Sequence, residues 1–168
     1  RPPGSPTRAR LLVATIRAIA WRCRMAQSEL APVIEEYHRT IDAIVRGDPE
    51  PQKRLWSRGD DVTLANPLGP PVRGWEQVKE HLEQAASTAR EGEPLRYESI
   101  SEYSAGDLGY NLELEWTRAK FGGAEEMTPV SLRATTTFRR EHGEWKILHR
   151  HADPITAPRP IDSVAEQL

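Results

Sequence analysis

The sequence predicts an α+β domain in which three helices come first and a run of antiparallel strands follows. Apolar residues recur with the helical period of 3.6 up to about residue 90, and with the strand period of 2 beyond it. The 168 residues, 38% of them hydrophobic and 29% charged, suit one globular domain with one core. Helices followed by such strands pack on one face of an antiparallel sheet, which is the α+β pattern.

The first helix is predicted between Ser28, which can cap its start, and Gly47, which ends it. A short second helix starts at Asp48-Pro49, a typical cap and first helical residue, and carries Leu55 and Trp56. Each helix therefore offers an apolar face to a sheet. In the first helix the apolar stripe consists of Leu30, Val33, Ile34, Tyr37, Ile41, Ile44 and Val45.

A short strand and a third helix come next along the chain. Residues 61–66 alternate, with Val62 and Leu64 on one face, and this alternation predicts a strand. The proline-rich run at residues 67–71 ends that strand. The third helix is predicted from a second apolar stripe, formed by Trp75, Val78, Leu82, Ala85 and Ala89.

Three longer strands are predicted at residues 95–103, 108–121 and 129–140, and a last strand follows the turn His142-Gly143. Strand 108–121 has one strongly apolar row, which we predict to face the helices: Leu108, Tyr110, Leu112, Leu114 and Trp116. Its polar row would then face outward, with its acids opposite arginines of the neighbouring strand: Asn111, Glu113, Glu115 and Thr117.

The charge distribution separates a basic leader from an acidic body. Residues 1–24 contain six arginines and no acid, whereas the other 17 of the 23 basic residues and all 25 acidic residues follow. An acidic body argues against a nucleic-acid partner, because binding nucleic acid needs a basic surface to neutralise phosphates. We predict that residues 1–24 lie outside the fold, as read-through from a misplaced start or as a transit peptide. The domain is then residues 25–160, followed by a tail at residues 161–168.

Cysteine usage and short motifs restrict the location and the chemistry. The single cysteine, Cys23, excludes a disulfide or a thiolate zinc site within one chain and fits a reducing compartment. The apolar run of the leader is too short to span a bilayer, so we predict a cytoplasmic protein with no membrane partner. The sequence has no glycine-rich phosphate loop, nucleophile elbow or Walker-type lysine motif, and we predict no cofactor.

Three titratable side chains alternate near the chain's end, in the stretch GEWKILHRHADP at residues 143–154. They are His149, His151 and Asp153, and on a strand they share one side of the sheet. As a metal signal H-x-H is weak without a third strong ligand, so we predict no metal site. A histidine can also act as a general acid or base near neutral pH, or simply line a pocket, and the residues leave these two uses open.

The facing of the two histidines follows from the register of the last hairpin. If His142-Gly143 is a two-residue loop, counting pairs Thr136 with His149 and Ala134 with His151. Both histidines then lie on the inner face among apolar residues, and a slip of one residue would move them to the outer face.

A pocket between the helices and the sheet is predicted to be mostly apolar, with a few polar groups. Tryptophans on apolar stripes pack in the core by default, but Trp56 and Trp75 flank residues 60–74 and are candidates for its rim. The complete set of predicted lining residues is Trp56, Asn66, Trp75, Tyr110, Trp116, Thr136, His149 and His151.

Three stretches of the chain resemble the nuclear transport factor 2-like superfamily, and within it the SnoaL-like branch of small proteins. They are EEYHRTIDAIVRGDPEPQKRLWS, DDVTLANPLGPPVRGWEQV and LRATTTFRREHGEWKILHRHADPI. The resemblance covers residues 28–157 and implies a cone: a curved antiparallel sheet wrapped around three N-terminal helices, with a pocket at its open end. It also implies a homodimer formed through the outer face of the sheet, where Arg133, Thr135, Thr137 and Arg150 are predicted to lie.

What the resemblance implies about function is broader. The superfamily contains ketosteroid isomerases, polyketide cyclases, dehydratases, epoxide hydrolases and binding modules without activity, so the fold alone does not select one. Isomerase-like members use an acidic base with a tyrosine/acid oxyanion site, whereas the predicted inward rows contain Tyr110 but no carboxylate. We therefore predict a protein that binds a small hydrophobic molecule. The alternative is a lyase, isomerase or cyclase of a hydrophobic or polyketide-like substrate, with His149 or His151 as general acid/base.

Overall fold

The computed structural model describes residues 28–160 and residue 163. The predicted leader at residues 1–24 lies outside the described residues, as does nearly all of the predicted tail at residues 161–168. The helices are α1 (Ala31–Ile44), α2 (Glu50–Leu55) and α3 (Trp75–Thr88). The strands are β1 (Thr63–Ala65), β2 (Val72–Arg73), β3 (Ala89–Ala105), β4 (Leu108–Phe121), β5 (Thr128–Glu141) and β6 (Glu144–Asp153).

The predicted α+β class is confirmed, and the helices pack against one face of a single curved sheet. Its strand order is β2-β1-β6-β5-β4-β3, with β1 parallel to β6 and the other neighbours antiparallel. The core lies between α1 and the sheet, where the ring of Tyr37 meets that of Phe138 edge-on at a centroid distance of 6.3 Å. None of the described helices is long and apolar enough to cross a membrane.

Strand β3 begins earlier than the sequence predicts. It continues directly from α3 at Ala89, whereas the alternating pattern starts only at residue 95. Pro94 is tolerated inside it because β3 is an edge strand and the pairing with β4 shifts on both sides of the proline. These irregularities bend the strand, and bending of this kind lets a sheet curve around helices.

The facing of β4 is opposite to the prediction. Its polar row is buried against the helices, with Asn111, Glu113 and Glu115 each at most 3% exposed, while the apolar row with Leu108 and Tyr110 faces outward. Burial of polar side chains is tolerated where they find hydrogen-bond partners, and several partners lie on α1 and β6. The prediction that the more apolar row of this strand faces the helices is therefore wrong.

The register of the last hairpin is correct near its turn and wrong beyond it. Phe138 pairs with Ile147 as predicted, but Leu148 is an extra residue, so that Thr136 pairs with Arg150 rather than with His149. Ala134 likewise pairs with Ala152, not with His151. This β-bulge moves every later side chain to the other face, so Arg150 points inward and both histidines point outward.

Candidate functional site

A cavity of about 610 Å³ lies between the helices and the concave face of the sheet. Its walls come from α1, α3, the segment after β1, and the inner rows of β4, β5 and β6. Most of the lining is aliphatic or aromatic, including Ile41, Val45, Leu64, Leu82, Phe121 and Leu132. The size and the apolar walls are typical of sites that enclose a small organic molecule.

Four polar side chains form one connected network beside the cavity. The Tyr37 hydroxyl donates to Glu115 Oε1 at 2.6 Å, and Arg150 Nε donates to the same hydroxyl at 2.7 Å. Arg150 also donates through one terminal nitrogen to Glu115 Oε2 at 2.7 Å, and through the other to Asn66 Oδ1 at 2.8 Å. Glu115, Arg150 and Asn66 line the cavity itself, so the network forms its polar wall.

The charges of this network balance. Arg150 and Glu115 form an ion pair whose side chains are only 7% and 3% exposed. Burial alone would lower the pKa of Arg150, but the neighbouring Glu115 and Tyr37 outweigh it and raise that pKa. Burial, with the nearby carboxylates, holds the pKa of Tyr37 well above its usual value. The phenol is therefore a neutral donor and the guanidinium a permanent cation.

Gln52 adds a further polar side chain to the cavity. It is among the lining residues and is 3% exposed. The short helix α2 holds it in place, because Leu55 and Trp56 at the end of that helix are buried in the core.

A second polar pair lies further along β4, outside the cavity lining. The ring nitrogen Nε2 of His38 is 2.8 Å from Glu113 Oε2, and the His38 ring stacks on Tyr97 at a centroid distance of 3.9 Å. The Tyr97 hydroxyl donates to Asp42 at 2.7 Å, and burial together with this bond raises the pKa of Tyr97. These contacts join α1 to β3 and β4.

Of the predicted lining residues, the structure brings Asn66 to the cavity. Thr136 is on the inner face and fully buried, but it does not line the cavity. Trp56 is buried in the hydrophobic core, and its backbone forms a parallel bridge with Ile147. Trp75 packs at the edge of the core, with the guanidinium of Arg58 at 3.7 Å from its ring.

The other predicted lining residues lie on the outer face of the sheet. Tyr110 is 36% exposed there, and Trp116 lies under the guanidinium of Arg96 at 3.8 Å. The bulge in β6 places His149 and His151 on this face as well.

The two histidines have different surroundings on the outer face. His149 is half-buried, with Nδ1 at 2.7 Å from the hydroxyl of Thr63, and His151 is exposed, with Nε2 at 4.0 Å from Asp153. Burial, followed by the charge of His151, lowers the pKa of His149. Within the described part of the chain, no three His, Cys, Asp or Glu side chains are placed to hold a metal ion.

The network and the polar lining include residues that the sequence analysis does not assign to the pocket: Tyr37, Gln52, Glu115 and Arg150. A signal for two of them exists, since Glu115 belongs to the polar row of the long strand 108–121 and Arg150 is the middle residue of the H-x-H pattern. Their meeting depends on the bulge at Leu148 and on contacts between positions far apart in the chain. The pattern of a single sequence shows neither the bulge nor these long-range contacts.

Comparisons with known proteins agree with this architecture. A search of curated proteins gives no significant match. Among solved structures, a protein from Streptomyces avermitilis described as a dehydratase of the nuclear transport factor 2-like family has 21% identity, a TM-score of 0.62, and coverage of 74% of this chain and 94% of that one. A ketosteroid isomerase-like protein from Erwinia carotovora atroseptica has 17% identity, a TM-score of 0.64, and coverage of 78% and 99%.

A third similar structure, from Thiobacillus denitrificans, is described as an association domain of calcium/calmodulin-dependent protein kinase type II. It has 21% identity and a TM-score of 0.59, with 71% of this chain and 90% of that chain covered. At these identities the likeness concerns the fold. The SnoaL-like domain family matches residues 33–157, which is most of the chain. The chain therefore belongs to the SnoaL-like domain family, and it shares the fold of a structure described as nuclear transport factor 2-like.

Proposed function

We propose that this protein binds a small, largely apolar molecule in the cavity between its helices and its sheet. The observation that carries the proposal is the cavity itself: about 610 Å³, a mostly apolar lining, and the connected polar side chains of Glu115, Arg150 and Asn66 at its wall. Ligand pockets of about 300–1,000 Å³ with few oriented polar groups commonly hold molecules of this kind.

The charge of the network favours a neutral ligand. Because Glu115 already neutralises Arg150, a bound carboxylate would add an unpaired negative charge to a site in which both side chains are at most 7% exposed. Burying an uncompensated charge is costly, on the order of several kcal/mol. A ligand ammonium group would be equally unfavourable beside the guanidinium.

The hydrogen-bonding capacity of the wall favours a ligand that accepts. Three N–H groups of Arg150 are engaged, which leaves its other guanidinium N–H groups available to a ligand. Asn66 accepts through Oδ1 from Arg150, so its amide N–H groups can donate to a ligand. A carbonyl oxygen is a neutral group that the remaining N–H groups of Arg150 and Asn66 can bind.

A second candidate function is an isomerase, lyase or cyclase that acts on the same class of molecule. His149 and His151 are not among the residues that line the cavity, so the cavity does not support the version with either of them as general acid/base. What favours an enzyme is Glu115, a buried carboxylate at the cavity wall. Both of its oxygens already accept hydrogen bonds, from Tyr37 and Arg150, and this commitment favours binding over proton transfer.

The proposed assembly is a homodimer formed through the outer face of the sheet. The large apolar side chains exposed on β3 and β4 support it, because a monomer rarely leaves so many of them uncovered: Ile100, Tyr103, Leu108 and Tyr110. Arg150, predicted to lie on this face, points inward, whereas Arg133, Thr135 and Thr137 have the outward register. The proposed location is the cytoplasm, which the single cysteine supports.

A fluorescence titration tests the binding proposal. The probe is 6-propionyl-2-(dimethylamino)naphthalene, a neutral ketone whose emission shifts to the blue in apolar surroundings. Ala85 lines the cavity, so the indole of Ala85→Trp should project into it and weaken binding of the probe by at least about tenfold. The matched control is Ala124→Trp in the exposed turn after β4, which should bind like the unmodified protein. Equal binding in both variants, or no saturable binding at all, contradicts the proposal.

A further inference from the structure

A second group of polar atoms is buried in the cone, away from the cavity lining. Asn111 Nδ2, Glu113 Oε1 and Thr136 Oγ1 are each inaccessible to solvent and have no hydrogen-bond partner among the described residues. The three residues are at most 1% exposed. Leaving such atoms unpaired costs about 1–3 kcal/mol each, and buried polar groups of folded proteins are nearly always paired.

The three side chains face the same space. Asn111 lies directly opposite Thr136 in the pairing of β4 with β5, and Glu113 is the next residue of the same inward row. Directly opposite side chains have Cβ atoms about 5 Å apart, and diagonal neighbours about 7–8 Å. One small molecule placed between the two strands can therefore reach all three.

The other polar atoms of two of these side chains are already engaged, which fixes how they point. Asn111 Oδ1 accepts from the hydroxyl of Ser99 at 3.2 Å, so its amide nitrogen is directed away from that contact. Glu113 Oε2 lies 2.8 Å from His38 Nε2, so Oε1 is the oxygen left over.

We propose that one internal water molecule is bound between Asn111, Glu113 and Thr136. It accepts from Asn111 Nδ2 and donates to Glu113 Oε1, and the Thr136 hydroxyl can serve either as donor or as acceptor. Internal waters typically make about three such bonds to otherwise unpaired groups. A metal cation does not suit the site, because the amide N–H of Asn111 would point at it. An anion does not suit the site either, because it would lie against the carboxylate of Glu113.

The water extends a chain of contacts from α1 into the sheet. It links the His38–Glu113 pair to Thr136, the residue that pairs with Arg150 on β6. By holding Oε1 it keeps Glu113 oriented so that Oε2 meets the histidine. The site involves none of the residues that line the cavity, so a test of the water site does not depend on whether the proposed function is correct.

A crystal structure of the unmodified protein at a resolution that shows ordered water tests the site directly. We expect density for one water within hydrogen-bond distance of all three atoms. The inference is overturned if the side chains instead bond one another, for example with Asn111 Nδ2 donating straight to Thr136 Oγ1, or if no water is there.

Oxygen-17 magnetic relaxation dispersion gives an independent readout in solution, because it counts long-lived internal waters. Thr136→Val keeps the shape of the side chain and removes its hydroxyl, and Asn111→Leu removes the amide. The pair of substitutions should lower the count by about one. The matched control, Thr137→Val, changes the neighbouring residue on the outer face and should leave the count unchanged. An unchanged count in the double variant, folded as judged by circular dichroism, also overturns the inference.

Discussion

Replacing Arg150 by methionine separates the structural contribution of the polar wall from that of the apolar walls. Methionine keeps the length of the side chain and removes its charge, so Glu115 stays buried, at 3% exposed, without its cationic partner. Tyr37 remains as its one donor, and Asn66 loses the donor to its Oδ1. The variant therefore leaves an uncompensated carboxylate in the core.

The magnitude follows from the burial of both partners. Removing one member of a buried ion pair costs about 3–5 kcal/mol, because the remaining charge stays desolvated. For a domain of this size that loss corresponds to a decrease of roughly 10 °C in Tm. Changing both members, as in Arg150→Met with Glu115→Gln, removes the orphaned charge. The double variant should then be less destabilised than the sum of the two single variants.

Urea denaturation followed by tryptophan fluorescence gives the free energies of unfolding for the single and double variants. The control is Arg133→Met, since Arg133 forms its ion pair with Asp153 on the outer face, where its side chain is 47% exposed. That substitution should cost no more than about 1 kcal/mol. If Arg150→Met costs no more than the control, or if the single effects simply add in the double variant, then Arg150 and Glu115 are not the coupled buried pair described above.

Three further predictions concern other parts of the molecule. Burial lowers the folded-state pKa of His149 below 6.5, so the unfolded chain binds more protons than the folded one as the pH falls below about 6.5. The stability that His149 contributes above that pH is therefore lost as the pH falls through the folded-state pKa. In urea titrations at pH 7.5 and 5.5, His149→Gln should reduce this loss. Tyr110→Asp, on the exposed apolar row of β4, should convert a dimer into a monomer in analytical ultracentrifugation, and a monomeric unmodified protein would refute the proposed interface. Gly109→Ala would place a Cβ 2.7 Å from Leu30 Cδ1, so it should lower the free energy of unfolding by about 1–3 kcal/mol. An unchanged urea midpoint would show that Leu30 can move away from the added methyl group at no cost.

Hydrophobic periodicity predicts the helices and most strands because it depends on neighbours a few residues apart. The stripe of α1 and the alternation of β4 and β5 both appear as folded elements. Alternation alone does not say which row of a strand faces inward, however. In β4 the buried row is the polar one, because Tyr37, His38 and Arg150 supply its hydrogen-bond partners.

The candidate site is harder to predict because it depends on one extra residue. Leu148 carries no sequence mark of a bulge, such as a glycine, yet it exchanges the faces of Arg150 and the two histidines. The contact between Tyr37 and Glu115 joins residues 78 positions apart, and it exists only once α1 lies across the sheet. A local pattern therefore finds the elements and misses the network that they assemble.

We propose that the cavity prefers a neutral, carbonyl-bearing apolar molecule to an anionic one, and calorimetry with two matched compounds measures this preference. The compounds are 2-acetylnaphthalene, a neutral ketone, and 2-naphthoate, which places a carboxylate on the same ring system. Because Glu115 already neutralises Arg150, the ketone should bind at least about tenfold more tightly than the carboxylate. Tighter or equal binding of 2-naphthoate would contradict the claim, as would the absence of binding by either compound.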